Sequence, residues 1–203
     1  MEIDDYRAYL GIVIAIISLM GYLLENTWLA VTKGYIDNRN MNLPFLFGYG
    51  LLVVGMYYLF GTPDEMMFFR IPLKVPPAVG RVLYFILAAV IVSVCEVALG
   101  TAMEKICGIE YWNYTWIPLH ITKYTSVPTS VGFSLLITVF MDKYFMNILL
   151  RVAEFPEKPS FHIGLVLVLI MLNDMLICYN KMRRNHCLNI KWQKNVRKKN
   201  KHS

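Results

Sequence analysis

Glu25, Glu96 and Asp174 each interrupt a long apolar stretch of the chain. A carboxylate at such depth is costly and normally faces a bundle interior or a water-filled cavity. Each acid is followed by a lysine near the end of its stretch. Lys33 comes eight residues after Glu25, Lys105 nine after Glu96 and Lys181 seven after Asp174. At the rise of a helix, each acid sits roughly 10–13 Å below its lysine. If the three stretches cross in one direction and touch, the acids form an intramembrane polar layer. Such a layer suits a cation, a proton relay or an amine group. The competing reading is structural, with each acid acting as hydrogen-bonding glue between neighbouring helices.

A second set of candidates falls in the segments that join these stretches: Asn38, Arg39, Trp112, Asn113 and Tyr114. Aromatic residues favour the membrane–water boundary, which accounts for Trp112 and Tyr114 without any site. It does not account for Asn38, Arg39 and Asn113. An arginine placed above a carboxylate layer can serve as its counter-ion, or can hold an anionic head group.

The elements that must position these residues are membrane helices. A spanning helix needs about 20 mostly apolar residues. Five stretches qualify, at about 9–31, 43–60, 81–103, 121–141 and 161–179. The expected fold is therefore an all-α polytopic membrane bundle with about five transmembrane helices, occupying residues 1–180. Residues 62–80 carry Pro63, Pro72, Pro76 and Pro77 and read as an irregular loop. Residues 142–158 read as a separate short amphipathic helix lying in the interface. The first stretch is not a cleaved signal peptide, since acids rather than bases precede it. A repeated helical hairpin is also suggested. Gly21…Glu25, Lys33, Asn38-Arg39 and Pro44 run parallel to Glu96…Gly100, Lys105, Trp112-Asn113-Tyr114 and Pro128.

Composition supports the same class. The chain has 203 residues, 57% of them hydrophobic and 17% charged, with a mean hydropathy of +0.46. So short a soluble domain could not hide this much apolar surface. The net charge of +6 is concentrated. Residues 181–203 hold nine Lys/Arg and no acid, whereas residues 1–180 hold eleven Lys/Arg against fourteen acids. With the tail inside, inner segments hold thirteen Lys/Arg and outer segments seven, so a cytoplasmic basic tail at 181–203 is expected. A nucleic-acid-binding arm is disfavoured beside so apolar a body.

Other chemistries lack their motifs. There is no phosphate-binding loop, no HExxH and no GxSxG elbow. The four cysteines form no CxxC pair and the four histidines are scattered. Neither a metal nor a cofactor is expected. The serines at 126, 130 and 134 and the glycines at 48, 50 and 55 read as helix-packing positions.

Gly21-Tyr22-Leu23-Leu24-Glu25, the downstream Asn38-Arg39 and Trp112-Asn113-Tyr114 resemble three signatures of the CmpB-like family: Gly-aromatic-x-x-Glu, Asn-Arg-Gly and Trp-Asp-Tyr. Members of that family are bacterial membrane proteins labelled "putative type IV ABC-transporter permease". The resemblance covers roughly residues 6–145 and leaves out the fifth stretch and the tail. The chain departs from the signatures at three points. Asn40 stands where the family has the glycine of Asn-Arg-Gly, and Asn113 stands for the aspartate of Trp-Asp-Tyr. The proline-rich re-entry is shortened to Asn42-Leu43-Pro44-Phe45.

The resemblance implies a permease-type subunit in the cell membrane, embedded in the lipid bilayer and working with a separate ATPase subunit. Five short-looped spans enclose little room, so a homodimer or a partner subunit is expected. Two other classes stay open: a membrane-embedded enzyme acting on a lipid or polyprenyl substrate, and a membrane scaffold protein. Enzymatic activity is the less expected of these.

Overall fold

The computed structural model describes residues 3–196. A short 3₁₀ segment, Ile3–Tyr9, leads into α1 (Leu10–Thr32), and strand β1 (Tyr35–Asp37) follows. Helix α2 (Phe47–Phe60) runs back, and the small hairpin β2 (Met67–Phe68)–β3 (Ile71–Pro72) leads to α3 (Pro77–Cys107). A second hairpin, β4 (His120–Thr122)–β5 (Thr125–Ser126), precedes α4 (Val127–Phe140). Through a π-helical turn at Met141–Phe145, α4 continues into α5 (Met146–Ala153). Helix α6 (Glu157–Asn185) and strand β6 (Gln193–Asn195) complete the order. The bundle is all-α and polytopic, as expected, and the strands among the described residues form three two-stranded antiparallel pairs.

Among the described residues, four helices are long and apolar enough to cross a membrane: Tyr6–Thr32, Pro77–Cys107, Val127–Ala153 and Glu157–Asn185. The remaining expected span differs. Its helix starts at Phe47 instead of residue 43, and its 14 residues reach only about 21 Å, short of a ~30 Å hydrocarbon core. Pro44 and the hydrogen bonds made by Asn42 and Leu43 keep the preceding chain out of the helix. Residues 37–46 therefore form a non-helical re-entrant segment, with Asp37, Asn38, Asn40 and Met41 buried. Such backbone is tolerated in a membrane only where protein groups satisfy it.

The fourth span is corrected at both ends. Residues 121–126 form a hairpin, and Ser126 caps the helix through a reciprocal hydrogen-bonded box with Thr129. The separate interfacial helix expected over 142–158 is absent, because the fourth span runs on to Ala153. No glycine or proline breaks the chain there. Ile137, Met141, Phe145, Leu149 and Val152 continue one buried stripe across the π turn.

The core lies between α1, α2, α3 and the α4–α5 helix, around Val13, Val53, Tyr57, Tyr84 and Phe145. Close backbone approaches set the crossings. A Cβ on Gly50 would strike the Ile14 carbonyl and the Ser18 hydroxyl, so α2 seats on α1 there. Gly48 and Gly55 face open space instead. Gly11 and Gly164 seat α1 on α6, where an added Cβ would lie 2.7 Å from the opposing backbone. Ser130 bonds Ser93 at 2.8 Å and joins α4 to α3. Chain direction puts Lys33, Lys105, Lys181, the re-entrant segment, the β4–β5 hairpin and β6 at one end of the bundle.

Candidate functional site

The site is built at that end, where α1 meets the re-entrant segment. The Arg39 Nε donates to Glu25 Oε2 at 2.9 Å, and its Nη2 closes a two-pronged ion pair with the same oxygen. The other Glu25 oxygen accepts from the Tyr49 hydroxyl at 2.8 Å. Gly21 makes this geometry reachable, since a Cβ there would sit 2.6 Å from the Tyr49 ring. The backbone N–H of Arg39 donates to Asp37 Oδ1 at 2.7 Å, and the guanidinium approaches that oxygen at 3.6 Å. Burial pulls the Arg39 pKa down. The adjacent Glu25 and Asp37 more than offset this, leaving it above its ordinary value.

The loop carrying Arg39 is held from several sides. Arg39 and Asn40 take left-handed backbone, at φ +46° and +64°. Asparagine tolerates that region better than other side-chain-bearing residues, which explains how Asn40 can stand where the family signature has glycine. Asn26 Oδ1 accepts from the Asp37 N–H at 2.8 Å, and the Tyr22 hydroxyl donates to the Asp37 carbonyl. Asn38 donates to the carbonyls of Met41 and Asn189, both at 2.8 Å, and accepts from the Lys191 N–H. Asn38 is thus a scaffold residue for the loop.

Glu96 lies near this centre. Its Oε1 meets the Tyr114 hydroxyl at 3.5 Å, whereas Oε2 is buried and has no hydrogen-bond partner. Glu25 is within electrostatic range of both Glu96 and Tyr114. Burial, followed by Glu96 and Glu25, raises the Tyr114 pKa and keeps its hydroxyl protonated. Burial likewise raises that of Tyr111, whose hydroxyl donates to the Arg39 carbonyl.

Asp174 does not join this pair. It accepts from the N–H groups of Asn42 (3.1 Å) and Leu43 (3.0 Å) and from the Asn42 amide (2.6 Å). Its carboxylate thereby supplies partners to backbone that the re-entrant segment leaves unpaired. Of the three acids expected in one layer, Glu25 and Glu96 lie within electrostatic range of each other with no hydrogen bond between them, and Asp174 is engaged elsewhere.

The 112–114 signature divides in the same way. Trp112 Nε1 donates to the Tyr124 carbonyl at 2.9 Å, and its ring packs edge-on against Tyr111 and Tyr124. Asn113 accepts from the Thr115 N–H at 2.8 Å, as an aspartate would, and also donates to Glu110 at 3.1 Å, as an aspartate could not. These two residues shape the hairpin, and Tyr114 alone reaches an acid of the layer.

A second centre lies beside the first. The Tyr124 hydroxyl donates to Glu104 at 2.6 Å, Lys123 pairs with Glu104 and Glu110, and Gly100 leaves room for the Tyr124 ring. Gly100, Glu104, Tyr124 and Lys123 thus repeat the device of Gly21, Glu25, Tyr49 and Arg39. The glycine–acid spacing is four residues in both, so Glu104, rather than Glu96, is the counterpart of Glu25. Tyr49 lies inside α2 whereas Tyr124 precedes α4, so the equivalence does not extend to every position. Tyr49, Asp37 and Glu104 had escaped sequence reasoning. The repeated Gly-x-x-x-Glu spacing was the available signal for Glu104.

Among the described residues, no group of three or more His, Cys, Asp or Glu is placed to hold a metal ion. The cysteines at 95, 107, 178 and 187 are free.

Comparison with known proteins gives one match. No curated protein and no solved structure matches the chain. The family model described as "Putative ABC-transporter type IV" matches residues 12–179. This extends past the 6–145 range of the three signatures to take in most of α6. The chain therefore belongs to this ABC-transporter-related family of membrane proteins.

Proposed function

We propose that the chain is the permease-type subunit of a transport system in the cell membrane. The observation that carries this reading is Glu96: a carboxyl on a membrane helix, with one oxygen buried and unpartnered, beside the Glu25–Arg39–Tyr49 centre. An acid inside a bilayer is normally paired or occupied. Glu25 has Arg39, Asp174 has two N–H groups and an amide, and Glu104 has Lys123 and Tyr124. Glu96 has the Tyr114 hydroxyl on one oxygen and leaves the other for a proton, a small cation or an amine. Half-length helices joined to irregular buried backbone, as at residues 37–60, are where transporters build such sites.

In this reading a separate ATPase supplies the energy, since the chain has no phosphate-binding loop. Two copies assemble to enclose a pathway, and the basic end faces the cytoplasm. Purification from the native host in mild detergent tests the assembly. A stoichiometric ATPase in the eluate is expected, and a homodimer without ATPase activity overturns the partnership. Glu96→Gln is expected to abolish transport at normal abundance. Loss of abundance instead would assign Glu96 to structure.

A further inference from the structure

We propose that residues 181–196 form a binding site for anionic phospholipid head groups, and that its occupancy steadies the loop holding Arg39 on Glu25. The inference is independent of the transport reading.

Three observations converge on it. The first is charge. Lys181, Arg183, Arg184, Lys191 and Lys194 are exposed, and none is in an ion pair among the described residues. Lys33 and Lys105 are exposed at the same end of the bundle. Residues 197–203, outside the described part, add four more Lys/Arg and no acid. The second is the apolar content of the strap after α6. Leu188, Ile190, Trp192 and Val196 are 37%, 49%, 40% and 49% exposed, interleaved with Lys191 and Lys194. A solvated tail or a nucleic-acid arm has no use for these side chains. A strap at the head-group level does, because apolar residues and tryptophan enter the interface while lysines reach phosphates.

The third observation is attachment. Asn189 is buried, donates to the Asn40 carbonyl at 3.0 Å and accepts from Asn38 at 2.8 Å. The Lys191 N–H donates to Asn38 Oδ1, and β6 pairs antiparallel with β1, Tyr35 opposite Asn195 and Asp37 opposite Gln193. The strap thus bonds the residues on both sides of Arg39. Lipid that holds the strap holds the loop.

The test reconstitutes the full chain in phosphatidylcholine bilayers with and without phosphatidylglycerol. Acrylamide quenching of Trp192 is isolated by subtracting a Trp192→Phe variant, and hydrogen exchange is followed over residues 35–41. Phosphatidylglycerol is expected to shield Trp192 and slow exchange in the loop, with the effect weakening at high salt. A variant with Arg183, Arg184, Lys191 and Lys194 all changed to Gln keeps the strap's backbone bonds and should lose both responses. Each cation near an anionic surface is worth about fivefold in partitioning, so the four together are worth roughly several hundredfold. Equal quenching in both lipids overturns the proposal, as does a response that survives in the quadruple variant. Shielding by an oligonucleotide in pure phosphatidylcholine, with none from phosphatidylglycerol, overturns it in favour of a nucleic-acid arm. Shielding of Trp192 without slower loop exchange overturns the coupling to Arg39.

Discussion

Arg39 and Glu25 show how a membrane protein keeps two opposite charges at one end of its helix bundle. Each is partly covered, so neither partner can be removed without stranding the other. Glu25→Gln and Arg39→Gln are each expected to lower the melting temperature in lipid. The double variant should be less destabilised than the sum, with a coupling of about 1–3 kcal/mol in a double-mutant cycle. Purely additive losses would show that the pair contributes nothing beyond its separate contacts. Asn40 offers a cleaner backbone test, since its left-handed φ of +64° fits the glycine of the family signature. Asn40→Gly should be close to neutral, whereas Asn40→Val should cost about 1–2 kcal/mol, read by thermal unfolding.

At the scale of elements, the helices are positioned by a few close approaches. Gly50→Ala forces α2 off the Ile14 carbonyl and should cost about 1–3 kcal/mol. Gly55→Ala, which meets open space on the same helix, should be neutral or gain up to about 1 kcal/mol from helix propensity. Equal effects at both positions would contradict the assigned α1–α2 seating. The 108–126 hairpin is held by charge. Hydrogen bonds from Asn113 and Lys123 keep the Glu110 pKa below its ordinary value. The bond from Lys123 to Glu104, and the weaker one to Glu110, raise that of Lys123. The depressed acid contributes stability above its unfolded pKa of about 4.3, lost as pH falls through its lower folded value. The raised base contributes below about 10.4, lost as pH rises through its higher folded value. The hydrogen-exchange protection of residues 110–124, taken relative to the intrinsic exchange rate at each pH, should therefore be highest between these limits and fall on both sides. A flat profile would show that the ion pairs do not hold the hairpin.

Across the whole molecule, strand β6 returns to the re-entrant segment's strand β1. This closure links α6 and β6 to β1 across about 150 residues of sequence. Asn189→Ala removes the side-chain donation to the Asn40 carbonyl in the loop and that to Cys178 Sγ on α6, and keeps the backbone carbonyl that accepts from Asn38. It should raise hydrogen exchange over residues 35–41 while leaving the α3–α4 hairpin unchanged. Faster exchange spread over all helices would mean that the strap supports the bundle generally instead of the loop.

Membrane residence and the all-α class follow from the sequence by itself, whereas of the five expected spans only four are long enough to cross. Apolar runs of that length admit few other folds, because lipid supplies no partners for backbone polar groups. The family was also legible, in three short signatures whose glycine, acids and aromatics keep fixed spacing. Helix ends were less legible. The 142–158 segment looked interfacial because its amphipathic pattern is local, whereas its union with α4 depends on a core stripe that only packing reveals. The acidic layer was legible as residue types and misleading as a unit. Glu25 and Glu96 are only within electrostatic range of one another, and Asp174 turns to the re-entrant backbone, since unpaired N–H groups inside the bundle attract the nearest carboxylate. Sequence spacing fixes depth along a helix. Which face meets which neighbour, and so which acid is left without a partner, is decided by tertiary packing.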